Sequence, residues 1–92
     1  MGNVDIGELK IFKFRLITAL KSAPFSEHIK AMILHEVDDI KMSLAAYGKM
    51  SKSDLWPAFV QRAAARAETA LINAGVRPDE VARAIKYIKN TR

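Results

Sequence analysis

The chain has no cysteine, four glycines, three prolines and a single tryptophan in 92 residues. Without thiols there is no disulfide framework of the kind that staples small secreted domains, and the usual ligands of a structural zinc site are missing. The glycines stand apart at positions 2, 7, 48 and 75, so no Gly-rich loop is available to cradle a phosphate. Unbroken apolar runs extend only a few residues, far short of a membrane span. No basic stretch followed by an apolar one opens the chain, so a signal peptide is not expected. Gly2 does not suggest lipidation, because Ile6 stands where myristoylation prefers Ser or Thr. These absences together favour a cytoplasmic address and exclude a membrane-embedded one.

What is present describes a small folded domain. Half of the residues are hydrophobic, which argues against disorder, and 92 residues suit one helical domain with a modest core. The formal net charge of +5 favours anionic partners without naming one.

Three punctuated stretches, SAPFS at 22–26, YGKMSKS at 47–53 and NAGVRP at 73–78, divide the chain into four segments of helical periodicity. The expected fold is all-α, a compact bundle of four helices at about 4–21, 26–47, 53–74 and 78–90. In the first, Leu9, Phe12, Leu16 and Leu20 share a face. Ile11, Phe14 and Ile17 lie on further faces, so the apolar arc is wide. The run FKFRL alternates and also fits a strand; helix is preferred because the pattern continues through ITALKSA. In the second, Ser26 is a good N-cap, and a seam runs through Ile29, Ile33, Val37, Ile40, Leu44 and Tyr47 before Gly48. The third opens near Ser53 or Pro57 and is expected to bury Val60, Ala63, Ala67, Ala70 or Leu71, and Ala74, with Trp56 and Phe59 plugging one end. The fourth has Pro78 at its first position, Asp79 and Glu80 in its first turn, and an inner face of Val81, Ala84, Ile85 and Ile88.

Catalytic chemistry finds little support. The serines sit at caps and turns, and no nucleophile–base or acid–base set is apparent, so the protein is read as a non-enzyme without cofactor. The one compact polar cluster, HEVDD, places His35, Asp38 and Asp39 on a common helix face. It lacks the second histidine of an H-E-x-x-H site, and no metal is expected. Glu36, Asp38 and Asp39 are taken as solvated, or as an acidic patch that meets the basic C-terminal segment across a homodimer.

The stretch AGVRPDEVARAI, residues 74–85, resembles the turn and recognition helix of helix-turn-helix DNA-binding proteins through Ala74, Gly75, Val76, Pro78, Val81 and Arg83. The resemblance implies that Gly75 makes the turn, that Val81 pins the second helix, and that Arg77, Arg83 and Lys86 face the groove or the phosphates. The same pattern is also what a simple helical hairpin writes for ordinary capping reasons. Lys89 and Arg92 extend the basic helix, and Arg62 and Arg66, one turn apart, add cations on the third helix. The leading expectation is therefore a small regulatory protein that binds duplex DNA through this segment. The competing one is a protein-binding adaptor or inhibitor that docks a partner through exposed apolar helix faces. A chain this short cannot cover the wide arc of the first helix alone, so Ile11, Phe14 and Ile17 are the expected interface with a partner or with a second copy in a homodimer, for which the seam of the second helix is the alternative.

Overall fold

The computed structural model describes residues 6–40 and 50–91 of the chain, and these form four helices with no strand among them. They are α1 (Ile6–Lys21), α2 (Glu27–Asp38), α3 (Lys52–Asn73) and α4 (Pro78–Lys89). The all-α fold expected from periodicity is the one observed, and FKFRL lies within α1.

α3 is the central element, packing against each of the others. Its buried side is Leu55, Phe59, Ala63, Ala64, Ala67 and Leu71. The alanines let neighbouring helix backbones approach closely, while Phe59 and Leu71 fill the two ends. Ala74 is not part of this stripe. The helix stops at Asn73, and Ala74 becomes its exposed C-cap. Pro57 falls in the second turn, where its missing N–H forfeits the bond to the Ser53 carbonyl and its ring crowds that carbonyl. Phe12 of α1 meets Trp56 edge-on at 5.1 Å and Phe59 at 5.6 Å, so the aromatic plug joins α1 to α3.

α2 begins as its sequence indicates. The Ser26 hydroxyl accepts the Ile29 N–H at 3.2 Å. It ends nine residues before the expected Tyr47, at Asp38. A tertiary contact meets this end. Lys13 of α1 donates from Nζ to the carbonyls of Asp38 at 2.9 Å and Ile40 at 3.4 Å, satisfying acceptors at the helix end from outside. Ile40 stays buried although it lies beyond the helix, so the apolar spacing runs through the stop without marking it. Leu44, Tyr47 and Gly48 lie outside the described residues.

The turn between α3 and α4 is a Schellman motif. The Val76 N–H donates to the Leu71 carbonyl and the Gly75 N–H to the Ile72 carbonyl, both at 3.0 Å. Gly75 adopts φ +79°, which a side chain would resist. From this turn α4 runs back along α3. At the far end the Trp56 indole Nε1 donates to the Thr91 carbonyl at 3.2 Å, which ties the start of one helix to the end of the other. Helices of this length crossing at a right angle would hold those ends more than about 20 Å apart. The pair is an antiparallel helical hairpin rather than the 90–120° crossing of a DNA-reading helix-turn-helix.

Candidate nucleic-acid interface

The cations singled out in the sequence fall into two groups. Arg66 has its charge already matched. Its Nη2 lies 2.7 Å from Asp39 Oδ2 and 3.1 Å from Glu36 Oε1, in a partly buried position between α3 and α2. Its Nε is buried without a hydrogen-bond partner. The guanidinium thus fastens α2 to α3. Glu36 and Asp39 thus have a cationic partner within the chain, Glu36 largely buried beside it and Asp39 still open to solvent. Arg77 is also engaged, with Nε 3.5 Å from Asp79 Oδ1 on the exposed start of α4.

Arg83, Lys86 and Lys89 form the second group. They follow one another at intervals of three on the outward side of α4, all exposed, because Val81, Ala84 and Ile88 take the inner side. Arg62, on α3, lines one surface groove together with Lys89. None of these four cations makes an ion pair among the described residues. Arg92 lies outside the described residues.

Arg15, from α1, adds a fifth cation. Its guanidinium stands 5.4 Å from the centroid of the Trp56 ring, and Arg15, Trp56 and Lys89 line a common depression. Arg15 and Lys89 are 74 residues apart in the chain and meet only through the fold. Tyr87, beside these cations in sequence, is turned inward. Its hydroxyl donates to the Ala19 carbonyl at 2.7 Å and its ring meets Phe25 edge-on.

Apolar exposure concentrates in two places. On α1, Phe14 is 70% and Ile11 48% exposed, with Ile17 half-buried, so the three residues expected at an interface do reach the surface. On α3, Ile72 is 58% exposed, a residue that sequence reading passed over. Its position one step past Leu71 was the available signal, since that step turns it out of the buried stripe. Ile72, Ala82 and half-buried Ile85 line an apolar groove between α3 and α4, bordered by Glu68, Lys86 and Lys89.

Among the described residues no three His, Asp or Glu side chains stand close enough to hold a metal ion, and no helix is long and apolar enough to cross a membrane. No protein-family model, curated protein or solved structure matches this chain.

Proposed function

We propose that the protein is a small non-catalytic regulatory protein that binds nucleic acid along its phosphate backbone through the outer side of α4. The observation that carries this reading is the row Arg83, Lys86 and Lys89, exposed, joined by Arg62 and free of carboxylate partners among the described residues. Counterion release by such a row supplies sequence-independent affinity. The antiparallel hairpin, and Asp79 at the start of α4 beside Arg77, argue for phosphate contact rather than base reading. Anisotropy titrations of a random 20-base-pair duplex test the reading. Four phosphate contacts give a log–log salt slope of about −3.6, and duplexes of different sequence bind alike. No binding at low salt overturns it.

The exposure of Phe14 and Ile72 favours a second reading, in which the protein docks a partner protein through its apolar surfaces. Affinity of that kind is far less sensitive to salt. If α1 instead pairs with a second copy, sedimentation shows twice the chain mass, and Phe14→Glu returns it to one.

A further inference from the structure

We infer that the groove between α3 and α4 receives an acidic amphipathic helix from another protein, laid along the hairpin as a third helix. The inference rests on the protein-binding reading and gives it a place and a chemistry.

The groove has the shape for this occupant. One stretch of about 800 Å³ is floored by Ile72, Ala82 and Ile85. A second, of about 630 Å³, is floored by Ala58 and Ala65 and reaches exposed Met50. Glu68, Ile85 and Lys89 line both stretches, so the two lie side by side along the hairpin. Ala58 and Ile72 are fourteen residues apart on α3, about 21 Å at the helical rise, which is the length of a four-turn helix. Ala58, Ala65 and Ala82 keep the floor shallow, and Met50, Ile85 and Ile72 add the larger apolar side chains along it. A helix offering residues at i, i+3 or i+4, and i+7 would anchor in such a floor.

The rim supplies the sign of the partner. Arg62, Lys86 and Lys89 face one carboxylate, Glu68, and none of the three cations is paired among the described residues. A helix with Glu or Asp flanking its apolar stripe complements that rim, whereas a basic helix is repelled. A second copy fits poorly. The outward residues of α1 include Lys10 and Lys21 beside Phe14, which would bring like charge to the rim.

A display selection from a library of helices with randomised flanking charges tests this, using the full chain as bait and amide NMR shifts to place the winners. The expected outcome is enrichment of acidic amphipathic helices that shift Ile72, Ala82 and Ile85. Ile72→Asp should weaken them roughly tenfold or more, with only a small fall in melting temperature from an acid in the last turn of α3. Lys86→Glu with Lys89→Glu should turn the selection toward basic helices. Four results would overturn the inference: no enrichment, winners indifferent to both changes, a native dimer that Ile72→Asp dissociates, or shifts confined to α1. The last would leave protein binding standing and remove only the groove. Peptide binding that persists when duplex binding is absent would support the groove and discard the phosphate reading alone.

Discussion

Arg66 and the row on α4 are built from the same kinds of residue and do different work. Arg66 sits between two helices, with Glu36 and Asp39 within 3.1 Å. Its charge is spent on holding α2 against α3. Arg83, Lys86 and Lys89 project from a helix whose inner face is occupied by the core, and none of the three forms an ion pair among the described residues. A basic residue in a basic protein is thus informative only once its neighbours are known. The difference lies in which carboxylates the fold brings within reach, not in the local sequence.

The comparison between structural and available surface can be broken or sharpened by substitution. The largest effect belongs to the core that carries both. Phe59→Ala empties the junction of α1 and α3 and should lower stability by about 3–5 kcal/mol in a urea titration. Replacing Arg83, Lys86 and Lys89 together with Gln should leave that titration unchanged and reduce the salt slope of duplex binding by about 2.7. Retained duplex affinity in this variant would remove α4 from the interface. Gly75→Ala meets no atom within 4 Å of the new Cβ, so only the backbone objects. The cost of placing a side chain at φ +79° is about 1–2 kcal/mol, read from the melting midpoint.

Arg66→Ala tests the other side of the comparison. The pair is partly exposed, so the loss should be only about 1 kcal/mol, with duplex binding close to native at matched salt. A variant as stable as the native chain but poorer at binding would move Arg66 into the interface and erase the distinction. Trp56→Phe keeps a ring against Phe12, removes the bond to the Thr91 carbonyl and weakens the Arg15 contact. About 1 kcal/mol should be lost, with faster amide exchange at the end of α4.

Much of this fold is local and can be read from the chain. Ser26, Gly75 and Pro78 mark helix ends because capping involves residues three or four apart. The inner faces of Phe12–Leu16–Leu20 and Val81–Ala84–Ile88 follow from helical spacing alone. That Ile11 and Phe14 reach the surface follows from the same spacing, since the face opposite is already filled. The tertiary structure decided the rest. The carbonyl at the end of α2, on Asp38, is met by Lys13, 25 residues away. Asp39 is taken up by Arg66, 27 residues away. The turn NAGVRP permits either a crossed pair or a hairpin, since its hydrogen bonds end at Val76. The antiparallel course of α4 is set by what its far end meets, Trp56 and the alanine face of α3. With that course came the groove beside Ile72 and the company of Arg62, Lys89 and Arg15. A sequence specifies bonds between near neighbours directly, whereas which distant groups meet depends on how all the helices pack at once.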